Sequence, residues 1–235
     1  AFTYTDPVIF LEYAIDTARA CRDLGVKTVA VTAGYISPEP RVAFYRHMDA
    51  ANIDLKGFTE RFYRELCSAE LGAVLDTLCY LKHETEVWFE ITTLLIPGAN
   101  DSAQEIDAMT AWLVDNLGPD VPLHFSAFHP DWKMRDVPRT PHDTLSRARD
   151  IARANGMRHV YVGNVHDAAA SSTYCHVCGE RLIGRDWYVL SDWGLTRDGH
   201  CFACGTRCPG VFDGPPGTWG AKRQGVRLAD YGPLV

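Results

Sequence analysis

The chain has 235 residues, of which 46% are hydrophobic and 23% are charged, and its formal net charge is −7. Those fractions are typical of a globular protein and exclude a disordered one. The pI of about 5.7 argues against nucleic-acid binding, and no apolar run approaches the ~20 residues that cross a bilayer. We therefore expect neither a nucleic-acid nor a membrane partner. Because no secretory signal is visible, we expect a cytoplasmic protein.

The start of the sequence has an unusual form. Its first residue is Ala1, and residues 1–5 (AFTYT) already have the composition of a strand. Because natural domains seldom begin inside an element, we expect this chain to be part of a longer protein. Asp6 and Pro7 then predict a helix start, with Asp6 as the N-cap and Pro7 at the first helical position.

Short apolar runs alternate with amphipathic stretches over residues 1–167. Strands are predicted at 1–5, 26–32, 50–56, 86–96, 121–129 and 159–165. Helices are predicted at 7–24, 40–48, 58–83 with a break near Gly72, 102–118 and 140–156. Such alternation indicates an α/β fold with a parallel sheet, open or closed into a barrel. Functional groups of these folds lie at the carboxyl ends of the strands.

The last third of the chain differs in charge and in cysteine content. Residues 171–235 carry 7 − 6 = +1, so residues 1–170 carry 16 − 24 = −8. We divide the chain into a barrel region at 1–167, a linker at 168–173 (AAASST) and a small zinc-ribbon-like tail at 174–235. Five of the eight cysteines fall within the tail.

Two Cys-x-x-Cys-Gly hooks in the tail are separated by 22 residues. Their four thiols, Cys175, Cys178, Cys201 and Cys204, can surround one metal ion as a tetrahedron. We expect structural zinc, because a tail of this size with few large aliphatic residues needs a metal to fold. Iron in the same hooks is an alternative, and disulfides are disfavoured by the scattered unpaired cysteines.

Three further residues near the hooks need an interpretation. His176 and His200 are alternative ligands, although four sulfurs are preferred. Cys208 is interpreted as a small buried residue rather than as a fifth ligand.

Polar residues at strand ends are the other candidates. Asp54 and Lys56 are two apart at the end of a predicted strand, so both side chains face the same side and suit a zwitterionic ligand. The alternative is a surface ion pair of little energetic value. His129 also follows a strand, and Asp6 is read most simply as a helix cap. Residues 96–101 are interpreted as a turn that connects a strand to the next helix.

Six motifs occur in an order that resembles a known family. They are residues 2–7 (FTYTDP), 31–36 (VTAGYI), 52–57 (NIDLKG), 93–101 (TLLIPGAND), 124–130 (HFSAFHP) and 160–164 (VYVGN). Together with the Cys-x-x-Cys-Gly pairs they resemble the radical SAM enzymes of the AmmeMemoRadiSam system, which are similar to pyruvate formate-lyase activating enzymes. The resemblance covers nearly the whole chain.

The resemblance implies a partial (β/α) radical SAM barrel that works with S-adenosylmethionine and a [4Fe–4S] cluster. The implied reaction is reductive cleavage of S-adenosylmethionine to a 5′-deoxyadenosyl radical that abstracts hydrogen. By position, Thr3, Tyr4, Thr5 and Asp6 correspond to the loop that receives the cofactor's amino group. Asp54 and Lys56 correspond to groups that hold its amino and carboxylate groups, and His129 lies near its adenosine end.

Two departures from the family pattern bear on activity. The family's Cys-x-x-x-Cys-x-x-Cys triplet is absent, and the nearest spacing, Cys201, Cys204 and Cys208, runs in the opposite order inside the tail. Asp6 also stands where the pattern has Glu. We therefore expect the cluster ligands to lie upstream and this chain alone to be inactive.

The expected partners follow from the same resemblance. A protein substrate is plausible, and the family name implies association with Memo-like and AMMECR-like proteins. A non-enzymatic alternative is a barrel with a zinc ribbon that only binds a protein partner. A nucleic-acid-binding ribbon is a second alternative, which the nearly neutral tail disfavours.

Overall fold

The computed structural model describes residues 1–216, and its larger part is a parallel sheet of five strands in the order β1-β2-β3-β4-β5. The strands are β1 Val29–Thr32, β2 Ala50–Asp54, β3 Trp88–Leu95, β4 Leu123–Ala127 and β5 Val160–Gly163. The helices of this part are α1 Leu11–Asp23, α2 Pro38–Tyr45, α3 Glu60–Phe62, α4 Leu71–Glu84, α5 Ala103–Leu117 and α6 His142–Ala154. The predicted α/β fold class with parallel strands is confirmed.

The strand predicted at residues 1–5 does not form, and of these residues Phe2 alone pairs with the sheet. Only Phe2 pairs with β1, donating its N–H to Val29 O at 2.8 Å and accepting from Val31 N at 3.0 Å. Tyr4 then adopts a left-handed φ of 68°, which ends extended pairing. Asp6 does cap the next element, but that element is a 3₁₀ turn, Pro7–Phe10, before α1 begins.

The break expected near Gly72 lies earlier in the chain. Thr59 caps α3, which continues as a π-helical turn at Tyr63–Cys67. Ser68 then takes a left-handed φ of 52° and ends that turn, and α4 starts at Leu71. Gly72 therefore lies inside the first turn of α4, because Ser68 already provides the conformation that breaks the helix.

The two faces of the sheet have different environments. Side chains such as Ile53, Ile91 and Phe125 are fully buried, in one core with the apolar sides of α1, α2, α4, α5 and α6. Along β2, β3 and β4 the alternate residues are only half-buried. Because strand side chains alternate between faces, the helices cover one face and leave the other open. We call this open side the concave face.

The tail has its own sheet and its own core. Strands β6 Thr173–Tyr174, β7 Arg181–Asp186 and β8 Val189–Trp193 form an antiparallel sheet in the order β6-β7-β8. Its buried core consists of Leu182, Ile183, Leu195 and three cysteines. A core this small is typical of domains that a metal stabilises.

Residues 168–173, predicted as a linker, are structured and packed. Helix α7, Ala168–Ser171, is capped by Asp167, and Thr173 already belongs to β6. Ser171 donates to Val162 O of β5 at 3.1 Å, and the Arg185 N–H donates to Ser172 Oγ at 3.0 Å. This segment therefore fixes the tail against the fifth strand. Within residues 1–216 no helix is long and apolar enough to cross a membrane.

Candidate functional site

Asp54 and Lys56 lie where β2 ends, at the carboxyl edge of the sheet. Lys56 Nζ donates to Asp54 Oδ2 at 2.9 Å, and Asn52 Nδ2 donates to Asp54 Oδ1 at 3.1 Å. Thr92 of β3 orients Asn52 through a 2.7 Å hydrogen bond. Both charged side chains are accessible, with 33% of Asp54 and 42% of Lys56 exposed. The pair therefore presents one negative and one positive group to solvent on an ordered frame.

Side chains from other elements hold the backbone that carries Lys56. Thr93 donates to Leu55 O at 2.7 Å, and the Lys56 N–H donates to the Tyr63 hydroxyl at 3.2 Å. Glu105 accepts from the Phe58 N–H at 2.7 Å. These three contacts come from three different elements, so the loop after β2 is positioned before any ligand arrives.

Asn100 is the central contact of this loop, and the sequence interpretation of residues 96–101 missed it. Its amide donates to Lys56 O at 2.6 Å and to Leu94 O at 2.9 Å, and its Oδ1 accepts from Ile96 N at 2.7 Å. The side chain is only 3% exposed. Asn100 therefore joins the loops after β2 and β3, and its position after a Pro-Gly turn was the signal available in the sequence.

The loop Thr3–Asp6 reaches the same edge beside β1. Asp6 Oδ1 accepts from Val8 N at 3.1 Å and from Thr32 Oγ1 at 2.8 Å, and Oδ2 accepts from Ala33 N at 2.8 Å. Thr32 is buried on the helix-covered face. The structure thus gives the Asp6 carboxylate three partners within the chain, whereas Thr3, Tyr4 and Thr5 are exposed.

His129 follows β4 at this edge but stands apart from the Asp54–Lys56 pair. Its side chain is 72% exposed, and its nearest charged neighbour is Asp131 at 3.7 Å. The structure therefore does not bring His129 into contact with the other predicted site residues.

Three of the five non-glycine residues with a left-handed φ among residues 1–216 lie in loops at the carboxyl edge. Tyr4, Trp132 and Asn164 have left-handed φ values of 68°, 42° and 60°, and they follow the first paired residue, β4 and β5 respectively. Residues other than glycine seldom adopt this region, and they cluster at ligand-binding sites when they do. The observation favours this edge as the functional one.

A half-buried polar pair on the concave face was not predicted. His124 Nε2 lies 2.7 Å from Glu90 Oε2, and the His124 ring stacks on Tyr161 with ring centroids 4.9 Å apart. Burial raises the pKa of Glu90, but His124, Trp88 and the positive charge of Arg185 together lower it below its ordinary value. Glu90 therefore stays ionised at neutral pH. The sequence signal was a single charged residue, Glu90, inside a strand that is otherwise uncharged.

The four predicted cysteines converge in the tail. Their sulfur atoms all lie within 4.8 Å of one another, with Cys175 Sγ 3.6 Å from Cys204 Sγ and Cys178 Sγ 3.7 Å from Cys201 Sγ. A tetrahedral metal with bonds of about 2.3 Å requires sulfurs about 3.8 Å apart. The arrangement therefore fits one metal ion.

The two hooks have the same backbone geometry. Gly179 and Gly205 both have left-handed φ values, 76° and 74°. In each hook the glycine N–H donates to the carbonyl of the first cysteine, Gly179 to Cys175 at 3.0 Å and Gly205 to Cys201 at 2.8 Å. The glycines thus make the turns that aim paired sulfurs at a common centre.

Neither His176 nor His200 belongs to the group of ligand atoms that converge here, which consists of the four cysteine sulfurs. His200 Nδ1 is 3.1 Å from Asp198 Oδ2, and Cys208 is buried outside the sulfur cluster, as expected of a small core residue. Free thiols at all four positions are consistent with metal binding rather than disulfides.

The sequence and the fold were compared with those of known proteins. No protein-family model matches the sequence. The chain is 42% identical to the uncharacterized protein MJ0808 of Methanocaldococcus jannaschii over 210 residues, which are 88% of this chain and 61% of that protein. This chain therefore spans less than two thirds of the curated relative that it matches.

Three solved structures share the fold at low sequence identity. A domain of pyruvate-formate lyase-activating enzyme from Bacteroides vulgatus gives a TM-score of 0.60 at 18% identity, covering 69% of this chain and 97% of that one. A radical SAM methyltransferase from Sphaerobacter thermophilus gives 0.57 at 16% identity, with coverages of 75% and 52%. Streptococcus suis SuiB bound to S-adenosylmethionine gives 0.52 at 12% identity, with coverages of 64% and 36%. The chain has a radical SAM-type fold.

Proposed function

We propose that this chain supplies the S-adenosylmethionine-binding sheet of a radical SAM enzyme of the AmmeMemoRadiSam type. The carrying observation is the Asp54–Lys56 pair, fixed by Asn100 and its neighbours at the carboxyl edge of a radical SAM-type sheet. The methionine part of that cofactor is a zwitterion, so a carboxylate and an ammonium side by side match its two charges.

The Asp54 carboxylate would accept from the cofactor's ammonium, and Lys56 would donate to its carboxylate. Both groups are partly exposed and hold each other at 2.9 Å, so a ligand replaces one ion pair by two. When bound beside a reduced [4Fe–4S] cluster, S-adenosylmethionine supplies a 5′-deoxyadenosyl radical for hydrogen abstraction. The chain's own contribution is position and charge.

The remaining predicted site residues enter the proposal with different roles. The exposed loop Thr3, Tyr4 and Thr5 offers backbone groups to the cofactor's amino end. Asp6 holds that loop on β1 through Thr32 and Ala33, which makes it a positioning residue in this proposal. The exposed His129 lies on the strand-end side assigned to the adenosine.

The residues present do not fit the cluster. Its three-cysteine spacing does not occur in the sequence, and the cysteines that converge within the described residues form the two hooks of the tail. No step of the reaction is therefore assigned to a cluster on this chain. We propose that the cluster ligands lie outside this sequence.

We also propose that the tail binds one structural zinc at Cys175, Cys178, Cys201 and Cys204. The sulfur spacing supports a tetrahedral ion, and the closed four-sulfur shell leaves no position for a substrate. Iron would occupy the same geometry, so metal analysis must identify the ion.

A protein substrate, and association with Memo-like and AMMECR-like proteins, remain part of the proposal. The support is the tip of the β7–β8 hairpin, where Trp187 and Tyr188 are 45% and 72% exposed. Exposed aromatic side chains are common at protein interfaces. The same feature supports the alternative of a non-catalytic module that only binds a partner.

The deciding experiment compares the 235-residue chain with the complete gene product that contains it. Both are reconstituted anaerobically with iron and sulfide, reduced, and assayed for 5′-deoxyadenosine formed from S-adenosylmethionine. We expect a [4Fe–4S] absorption band and product from the complete protein, and neither from the chain.

Product from the chain alone would refute the placement of the cluster ligands outside it. A complete protein that binds the cluster yet forms no product would instead favour the non-catalytic alternative.

A further inference from the structure

A cavity of about 440 Å³ lies between the concave face and the tail. The sheet contributes Glu90 and His124, β5 contributes Tyr161, and the β7–β8 hairpin contributes Arg185 and Trp187. The volume is in the range of small-molecule sites. None of these residues belongs to the Asp54–Lys56 pair or to the cysteine centre, so the cavity is a separate feature.

Opposite charges face this cavity without pairing to each other. Glu90 is bound by His124 at 2.7 Å. The Arg185 guanidinium lies 5.7 Å from the centroid of the Tyr161 ring and donates to Ser171 O at 3.2 Å. The charge of Arg185 acts on Glu90, yet the guanidinium contacts that the structure describes within residues 1–216 are with Ser171 O and the Tyr161 ring. A ligand that carries both a positive and a negative charge could pair with Glu90 and Arg185 at the same time.

A buried nitrogen at the cavity wall has no partner. His159 is 4% exposed and lines the cavity, and its Nε2 forms no hydrogen bond among the described residues. Because the atom is inaccessible to solvent, it lies behind the cavity surface, and the assignment of the ligand rests on the two charges and the cavity shape.

Two tryptophans provide an apolar wall. Trp88 lines the cavity from β3, and Trp187 lines it from the hairpin turn, where it has a left-handed φ of 51°. A strained, aromatic residue held over a charged cavity is typical of a binding loop.

We propose that this cavity binds a free α-amino acid. Glu90 accepts from the ligand's ammonium, Arg185 donates to its carboxylate, and its side chain packs against Trp88 and Trp187. A peptide or protein terminus carries only one of the two charges at any one residue, so the free zwitterion is the better match. This inference does not depend on the proposed function, because it assigns a ligand to this cavity and does not identify the substrate of that enzyme.

The test uses the zinc-loaded chain without S-adenosylmethionine. Saturation-transfer NMR with the twenty L-amino acids identifies the ligand, and calorimetry then compares that amino acid with its decarboxylated amine and its deaminated acid. We expect the affinity of each analogue to be lower than that of the amino acid by about tenfold or more, because each analogue lacks one hydrogen bond to a charged group.

Variants assign the two charges. Glu90→Gln and Arg185→Gln should each weaken the amino acid about tenfold or more. The matched controls Glu65→Gln and Arg197→Gln remove the same charges from side chains that are 63% and 84% exposed, and should bind like wild type.

Three results would overturn the inference. They are no binding by any of the twenty amino acids, an analogue that binds as tightly as the amino acid, and charge variants that behave like their controls. The wild-type ligand comparison keeps the test valid where a variant misfolds. S-adenosylmethionine binding is measured separately, so a failure of this inference and a failure of the proposed function give different results.

Discussion

Replacing Asn100 by Ala should destabilise the protein by about 3 kcal/mol. The side chain is 3% exposed and makes three hydrogen bonds, to Lys56 O, Leu94 O and Ile96 N. Each contributes about 1 kcal/mol net, and alanine leaves the buried Ile96 N–H without its acceptor. With an m-value of about 2–3 kcal/mol/M, the urea midpoint should fall by about 1 M or more.

The matched control is Asn116→Ala. Asn116 is half-buried and makes one hydrogen bond, to Trp112 O at 2.9 Å, within its own helix. Its replacement should cost about 0.5 kcal/mol or less, because alanine favours the helix. Both variants are unfolded in urea at a fixed zinc concentration, with tryptophan fluorescence as the signal.

A second substitution tests the Asn100 side-chain oxygen, which accepts a hydrogen bond, separately from its nitrogen, which donates two. Asn100→Asp keeps an oxygen for Ile96 N but turns a second oxygen toward the carbonyls of Lys56 and Leu94, so it should be at least as unstable as Asn100→Ala. The reasoning is refuted if Asn100→Ala unfolds at the same midpoint as Asn116→Ala, or if Asn100→Asp matches wild type at neutral pH.

Three other predictions follow from the site and the tail. In the complete enzyme, Lys56→Ala should weaken S-adenosylmethionine binding by roughly 1.5–3 kcal/mol in calorimetry. The control Lys27→Ala breaks a similar ion pair, with Asp49, and should leave this binding unchanged. Equal effects of the two variants would contradict the cofactor assignment. Cys178→Ser should reduce zinc from about one equivalent to near none in metal analysis and unfold the tail, with retained zinc counting against the four-sulfur site. Burial lowers the pKa of His159, so unfolding free energy should fall as pH drops below about 6.5, by at most about 1.4 kcal/mol per pH unit; a His159→Phe variant with an unchanged pH profile would disprove this.

Patterning and spacing were enough to predict the parallel sheet and the convergence of four cysteines. The alternation along residues 88–95 and the capping of α5 by Ser102 are local signals, and both elements form where expected. The cysteine hooks are also local, because each trailing glycine fixes its own turn. Such features depend on neighbours within a few residues, so one sequence suffices to predict them.

The contacts that position Lys56 join residues far apart in the chain. Ser102 and Glu105 predict a capping box, and Ser102 does accept from the Glu105 N–H at 3.2 Å. The Glu105 carboxylate, however, binds Phe58 N, 47 residues away. Local spacing predicted where the helix starts but not which distant backbone its carboxylate would hold.

The same limit explains why Glu90 and His124 were missed while Asp54 and Lys56 were found. Asp54 ends β2 and Lys56 follows two residues later, so their spacing alone predicts the contact. Glu90 and His124 meet across β3 and β4, through a register that pairs Thr92 with His124 and that no local pattern specifies. The tail covers part of this face and brings Arg185 to the cavity that Glu90 and His124 line. Arg185 reaches this position because α7 contacts both β5 and β7. A cavity lined by groups from two sheets is therefore a property of the assembled fold, and it carries the charges that the strand-end motifs do not explain.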